Sequence, residues 1–211
     1  MPLPKILVTA YTKNSHLIPD FKYLADKFLG LPYEIDIAPE GEKLSSQLIR
    51  LIKDIKEDYF VLIKEDFFFI EKVDLDLLQK CFEFAVRENA DRFSLQCVDD
   101  GYQQTAEPYA DGIFKLNQHE MYLCSLEASI WRTQFLKDHL WSGGSDRDIE
   151  LNMGKSIKNL VRIFVPEKKV FNYRDALIGG GSRIKVIDGS FHIKYQTGTG
   201  EDGWKNLHIE R

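Results

Sequence analysis

The sequence has few cysteines and no long apolar run, and each of these shortages excludes a class of protein. Its three cysteines, Cys81, Cys97 and Cys124, cannot all pair within the chain and show no Cys/His spacing typical of zinc sites. No run of about 18 apolar residues is present, and the apolar run in "MPLPKILVTAY" is too short for a signal peptide. We therefore expect a soluble protein of a reducing, cytoplasmic compartment with no transmembrane segment.

The chain also lacks an excess of positive charge. Lys and Arg total 28 against 33 Asp and Glu, which gives a net charge of -5. Binding along a nucleic-acid backbone requires a clustered basic surface, so we expect no nucleic-acid partner. The chain also lacks the GxGxxG, P-loop and GxSxG patterns, which argues against a dinucleotide site, a P-loop NTP site and an α/β-hydrolase.

What remains is an ordinary globular composition in which strand and helix patterns alternate. Hydrophobic residues make up 44% of the 211 residues and charged ones 29%, and we expect one domain over 1–211. The strand patterns "KILVTAY", "YEIDIA", "YFVLIK" and "RFSLQCV" are separated by amphipathic helical patterns. This order predicts an α/β, Rossmann-like fold with a mixed, mainly parallel central sheet flanked by helices. The ending "GWKNLHIER" has no polar tail, which is compatible with a piece of a longer chain.

The second half of the chain is less regular. We predict a strand in "MYLCSL", a helix over "EASIWRTQFLKDHL" and a strand in "LVRIFV". From "IGGGSRIK" onward the chain is rich in glycine and basic residues, which indicates a mobile flap.

Two adjacent acids, Glu65 and Asp66, directly follow the apolar run "YFVLIK". Ligands of parallel sheets collect at the carboxyl ends of the strands. Carboxylates there suit Mg²⁺ or Mn²⁺, which leave coordination positions open for the phosphates of a substrate. The alternative is a strand that simply reaches the surface, where Lys64 neutralises one of the acids.

A second group of acids, Asp146, Asp148 and Glu150, follows two glycines and begins a helical pattern. Acids in the first turn of a helix stabilise it, and a cap explains this pattern without any function. The functional alternative is a general base that removes a proton from an attacking hydroxyl. Both can hold, because a cap needs only one of these side chains.

Other candidates lie at the two ends of the chain. Thr9 and Tyr11 end the first predicted strand, where a planar base could stack on the tyrosine ring. Near the C-terminus, His192 could complete a metal shell. Candidate contacts to a diphosphate are Arg183, Lys194 and Lys205.

The order of "VTAY", "KEDFFF..KVD" and "SLEASIWRTQFLKDHLWSGGSDRDIE" resembles nucleotide-sugar glycosyltransferases of the GT-A type. It is most similar to small capsule, O-antigen and chlorella-virus capsid-glycan members, over residues 5 to 205. Those members often read "DDFFL..PVD" and "SLQ..IW…L…SPWEFE". The resemblance implies transfer of a hexose-type sugar from a UDP-sugar to a carbohydrate or glycoprotein-glycan acceptor, with Mn²⁺ or Mg²⁺ as cofactor.

Carried over by position, the resemblance implies that Asp66 is the direct metal ligand with Glu65 in support, and that His192 is a late metal or diphosphate contact. It places Asp148 and Glu150 on the two acids of "WEFE", and Thr9 and Tyr11 beside the uracil. Departures from the pattern are Lys64 in place of the first acid of a strict DxD motif, Asp146-Arg147 in place of Pro-Trp, and Glu127 in place of a glutamine.

Two other functions remain open. A sugar nucleotidyltransferase needs a glycine-rich and basic phosphate loop after the first strand, and "TAYTKNSH" has no glycine. A non-catalytic sugar- or nucleotide-binding domain of the same fold is favoured slightly by Lys64. Turnover of a UDP-sugar distinguishes this second alternative from a transferase.

Overall fold

An eight-stranded mixed sheet lies at the centre of the protein. The structure is a computed structural model that describes residues 2–100, 106–117, 123–157, 161–178, 181–182, 184–196 and 202–211. The strands are β1 Lys5–Tyr11, β2 Glu34–Ala38, β3 Tyr59–Lys64, β4 Phe67–Phe69, β5 Arg92–Ser94, β6 Ala106–Ala110, β7 Ile113–Leu116, β8 Ser129–Arg132, β9 Ile163–Pro166, β10 Tyr173–Asp175, β11 Leu177–Ile178, β12 Gly181–Ser182, β13 Ile184–Ile187, β14 Ser190–Gln196 and β15 Asp202–Glu210. The helices are α1 Ile18–Phe28, α2 Leu44–Lys53, α3 Leu75–Arg87, α4 Thr133–His139, α5 Asp146–Asp148 and α6 Gly154–Ser156.

Shorter helical turns complete the element order. In the described part of the chain, two are of the 3₁₀ type, over Thr12–Leu17 and Val98–Asp100, and one is a π turn, over Ile149–Met153. The π turn lies between α5 and α6, so residues 146–156 form one continuous helical segment.

The strand order of the central sheet is β2-β1-β3-β8-β5-β9-β7-β6. Strands β7 and β8 are antiparallel to both of their neighbours, and the other six run in one direction. The predicted α/β fold with a mixed, mainly parallel sheet is therefore confirmed.

Helices cover both faces of this sheet. On one face, α1 and α3 pack on Val8, Val61 and Ile63, and on the other, α2 and α4 pack on Phe60 and Leu62. A strand covered on both faces has no solvent side, which explains why "YFVLIK" is almost continuously apolar.

The three phenylalanines behind Asp66 form the short strand β4, which pairs with β10 outside the central sheet. All three are buried. Phe67 stacks on Tyr173 with ring centroids 4.3 Å apart, Phe68 meets Phe191 edge-on, and Phe69 packs between α1 and Phe171. The chain therefore turns back into the core at once, and Asp66 occupies the turn.

Two predictions for the second half are wrong. Residues 123–126, the described part of "MYLCSL", form a turn and loop, and Ser129–Arg132 is strand β8, where a helix was expected. The reason is tertiary packing. Strand β8 lies between β3 and β5 and pairs with both. Ile130 packs in the core on one face of the sheet and Trp131 in the core on the other. The helix starts only at Thr133.

The expectation of a mobile flap is wrong for residues 184–196 and 202–211. These residues form the antiparallel sheet β13-β14-β15. Phe191 and Ile209 from this sheet are buried against the core that contains α1. Strand alternation here places apolar side chains inward and Lys185, His192 and Lys194 on the other face. Arg183 lies outside the described residues.

None of the helices in the described part of the chain has the length and apolar character that spanning a bilayer requires.

The burial of β4 yields a stability prediction. Phe69 is fully buried, so Phe69→Ala should lower the free energy of unfolding by about 3–5 kcal/mol through lost contacts and a cavity. Ile37 is 48% exposed on β2, and Ile37→Ala should cost about 0.5 kcal/mol or less. Urea denaturation measures both. Similar losses for the two variants would contradict the position of β4 in the core.

Candidate functional site

The carboxyl end of β3 brings together one lysine and several acids. Lys64 is the last residue of β3, Asp66 lies in the turn that follows, and Asp146 and Glu150 come from the helical segment 146–156. We call Lys64, Asp66, Asp146 and Glu150 the edge cluster. All four residues are partly exposed, although the Oδ1 atom of Asp66 is buried.

Glu65 points away from the edge cluster into the protein. Its side chain is 1% exposed, and its Oε1 accepts hydrogen bonds from the backbone N–H of Tyr11 at 3.1 Å and from Asn14 Nδ2 at 2.8 Å. Burial and the nearby Asp66 carboxylate raise the pKa of Glu65, against the effect of these donors. Glu65 thus fixes the segment after β1, and its role as a nucleotide contact stays a prediction.

Asp66 is held by the backbone and leaves one side-chain oxygen without a partner. Its carbonyl accepts a hydrogen bond from Ala176 N at 2.6 Å, which anchors the turn. Its Oδ1 is buried and has no hydrogen-bond partner among the described residues. Burial raises the pKa of Asp66, although Lys64 opposes this shift. A buried, unpartnered carboxylate oxygen is costly unless a cation or donor approaches it.

Lys64 faces the acids of the edge cluster. Its Nζ lies 3.5 Å from Asp146 Oδ2, and 19% of its side chain is exposed. Burial alone would lower the pKa of Lys64, but the carboxylates of Asp66, Asp146 and Glu150 outweigh burial and raise it. The ammonium is therefore firmly charged. The ammonium also lies over the ring of Phe67, with Nζ 5.5 Å from the ring centroid.

The loop before α5 is locked to α2 and thereby positions Asp146. Gly144 N donates to Ser45 Oγ at 2.6 Å, and Gly144 O accepts from Ser45 N at 3.1 Å. A Cβ on Gly144 would come within 3.1 Å of Trp141 Nε1 and 3.2 Å of Ser45 Oγ, so a larger residue there would require these side chains to shift by a few tenths of an ångström.

The two acids predicted as catalytic have different environments. Asp148 forms a capping box with Ser145, since its Oδ2 accepts from Ser145 N at 2.9 Å and from Ser145 Oγ at 2.7 Å. These hydrogen bonds lower the pKa of Asp148, which is exposed. Glu150 is partly buried, and its Oε1 accepts the N–H of Leu126 at 3.0 Å. Glu150 therefore belongs to the edge cluster, and Asp148 belongs to the helix cap.

Tyr11 stands beside the edge cluster, and Thr9 lies below it. Burial and the charges of Asp146, Glu65 and Asp66 raise the pKa of Tyr11, whose ring also lies 5.4 Å from Lys13 Nζ. Thr9 is 2% exposed and donates to Ile63 O at 3.4 Å, inside the sheet.

The remaining predicted ligands come from β14. His192 pairs in register with Lys185 and Asn206, and Lys194 with Trp204. Within the described residues, no three His, Cys, Asp or Glu side chains are arranged to hold a metal ion. The roles predicted for Asp66 and His192 as metal ligands, and for Lys194 and Arg183 as diphosphate contacts, stay predictions.

A buried arginine lies under the loop that Glu150 holds. Arg92 on β5 is fully buried, and its guanidinium contacts Ser129 Oγ at 3.0 Å, Leu123 O at 3.3 Å and the carboxylate of Glu127 at 3.5 Å. Arg92 thus holds Glu127, the residue that stands where the similar glycosyltransferases have a glutamine. Sequence patterns did not single out Arg92, since nothing in "RFSLQCV" marks it as buried.

Comparisons with known proteins bear on the fold. No protein-family model and no curated protein sequence matches the chain. Among solved structures it is similar to A197 from STIV, at 14% identity and a TM-score of 0.51, over 98% of this chain and 97% of that one. HddC from Yersinia pseudotuberculosis gives 11% identity and a TM-score of 0.45, over 82% and 93%. A UDP-glucose pyrophosphorylase gives 10% identity and a TM-score of 0.43, over 81% of this chain and 76% of that one. The similarity to A197 shows a shared fold.

The surroundings of Glu65 yield a second prediction. Burial raises the pKa of Glu65, so the folded protein holds the charged form less favourably than water does, and Glu65→Gln, which keeps an acceptor oxygen, should lose less stability at pH 7 than Glu65→Ala. Glu65→Ala removes the acceptor from two donors and should cost about 1–3 kcal/mol. Urea denaturation of both variants tests this, and a larger loss for the glutamine variant would contradict it.

Proposed function

We propose that the protein is a glycosyltransferase that uses a UDP-sugar and a carbohydrate or glycan acceptor, with its reaction at the edge cluster. The single observation that carries this proposal is the Asp66 carboxylate. It sits at the carboxyl end of a central strand, with an unpartnered buried Oδ1 and an ammonium beside it. A site that combines carboxylates with a cation at this sheet edge suits a nucleotide diphosphate.

The residues present fit a divalent cation of the Mg²⁺ or Mn²⁺ type. Such ions are bound by one or two carboxylates and complete their shells with water and substrate phosphates, so a full protein cage is not needed. Asp66 Oδ1 is the proposed direct ligand, and Asp146, whose charge raises the pKa of Asp66, is the proposed second carboxylate. When bound, the ion supplies Lewis-acid stabilisation of the departing UDP.

The chain's own groups supply orientation. The ring of Tyr11 is a platform for the uracil, and Glu65 fixes that residue by accepting its backbone N–H. Lys64 can donate to the diphosphate, because an ammonium has three N–H donors. Its contact with Asp146 Oδ2 is long, at 3.5 Å, and leaves donors for a ligand. His192, Lys194 and Arg183 are proposed as further diphosphate contacts from the C-terminal part.

Glu150 is the proposed general base if the reaction inverts configuration. The acceptor oxygen attacks the anomeric carbon, the bond from that carbon to the UDP oxygen breaks, and the hydroxyl proton passes to the Glu150 carboxylate. The N–H of Leu126 holds one oxygen of Glu150 and so orients the group. Asp148 is engaged in the cap, which makes it the second choice.

Nucleotide binding is expected to depend on the metal. UDP with Mn²⁺ should raise the melting temperature by a few degrees, and UDP with EDTA should not, because the diphosphate then lacks its counter-charge. Asp66→Asn should abolish the shift and leave the fold intact. Asp111→Asn, an exposed acid in a turn, serves as the matched control and should behave as wild type.

A full shift in EDTA, or an unchanged shift in Asp66→Asn, would contradict the proposed function. Metal-dependent binding of UDP without turnover of any UDP-sugar would support the non-catalytic alternative instead. Release of pyrophosphate from a nucleoside triphosphate and a sugar phosphate would support the nucleotidyltransferase.

The two candidate bases can be separated by kinetics. Glu150→Gln should lower sugar transfer by about 10²–10⁴-fold, the usual contribution of a general base, and leave UDP–Mn²⁺ binding unchanged. Asp148→Asn should weaken the helix cap and lower transfer little. UDP release from UDP-glucose, UDP-galactose and UDP-N-acetylglucosamine, with and without acceptor sugars, is the measurement. The reverse ranking would assign the base to Asp148.

A further inference from the structure

Lys64 occupies an unusual position for a lysine. It ends a strand whose preceding five residues are all buried, and its ammonium is directed at the acids of the edge cluster. The Nζ–Asp146 Oδ2 distance of 3.5 Å is longer than a tight ion pair, and Asp66 Oδ1 keeps no partner among the described residues. The ammonium is thus shared among carboxylates and is not committed to one.

The charges of the edge cluster do not balance. One ammonium faces the carboxylates of Asp66, Asp146 and Glu150, which leaves a formal charge of about -2 when all are ionised. That excess attracts a divalent cation, but the ammonium repels one. The repulsion is strong because most of the Lys64 side chain is out of water, where the effective dielectric constant is lower.

We propose that Lys64 is an internal counter-ion that couples divalent-cation binding to nucleotide binding. Without nucleotide, the ammonium partly neutralises Asp66 and Asp146 and weakens their hold on a metal ion. A bound diphosphate gives the ammonium an anionic partner of its own, so the two carboxylates become available to the cation. This inference rests on the proposed function, and it makes Lys64 a positioning residue for the donor.

The coupling must be reciprocal. If the diphosphate of UDP raises the affinity for Mn²⁺ by some factor, then Mn²⁺ raises the affinity for UDP by the same factor. A lysine in place of a first metal-binding acid thus has a specific consequence. The site resists loading by metal alone and binds metal and nucleotide together.

The experiment measures Mn²⁺ binding, which needs no turnover. Free Mn²⁺ is followed by electron paramagnetic resonance during titration of the full chain, with and without UDP. The variants are Lys64→Met, which keeps the stem and removes the charge, and Lys64→Arg, which keeps the charge. Lys5→Met is the matched control, because Lys5 pairs with Glu34 at 2.9 Å at the start of β1, the strand next to β3.

Wild type should bind Mn²⁺ weakly alone and at least tenfold more tightly with UDP. Lys64→Met should bind Mn²⁺ alone at least tenfold more tightly than wild type, and UDP should then add much less. Lys64→Arg and Lys5→Met should resemble wild type. Circular dichroism checks folding, and Lys64→Gln replaces the methionine variant if the latter does not fold.

Equal or weaker Mn²⁺ binding by the uncharged variants, in the absence of UDP, would overturn the inference. That result leaves the proposed function standing if wild type still binds UDP in a metal-dependent way. If Lys64→Met binds Mn²⁺ more tightly but UDP has no effect on any form, Lys64 only neutralises the carboxylates, and the coupling to nucleotide fails together with the proposed function.

Discussion

The buried carboxylate of Glu65 ties the end of β3 to the segment after β1. It accepts hydrogen bonds from Tyr11 N and Asn14 Nδ2, and its own N–H donates to Thr9 O at 3.0 Å. Its neighbours Lys64 and Asp66 are partly exposed, whereas Glu65 itself is buried. The position of the edge cluster therefore depends on a buried acid. On the other side of the turn, the aromatic strand β4 is buried in the core and pairs with β10.

Much of the first half of the fold could be predicted from the sequence, because its patterns are local. Continuous apolar strands and amphipathic helices alternate there, and the observed β1 to α3 follow that order. Residues 129–132 could not be assigned, since Ser129–Arg132 is a strand only through its pairing with β3 and β5. The C-terminal sheet was also missed. Its glycines indicated mobility, whereas burial of Phe191 and Ile209 holds it to the core.

The candidate site was predictable in outline and not in detail. Adjacent acids after a buried strand indicated the sheet edge, and the spacing of Asp146 and Glu150 suggests one face of a helix. The sequence could not show that Glu65 turns inward or that Lys64 faces Asp146 and Glu150. Those outcomes depend on side-chain direction and on contacts between residues more than 50 positions apart, which no local pattern encodes.

The central claim is that Asp66 holds a divalent cation against the diphosphate of a nucleotide. The most direct measurement is a crystal structure with UDP and Mn²⁺, in which anomalous scattering locates the ion. The account predicts an Mn²⁺ peak about 2 Å from Asp66 Oδ1 and from oxygens of the diphosphate, with the uracil near Tyr11. An ion bound elsewhere, or UDP bound with the Asp66 carboxylate remote from both ion and phosphate, would contradict it.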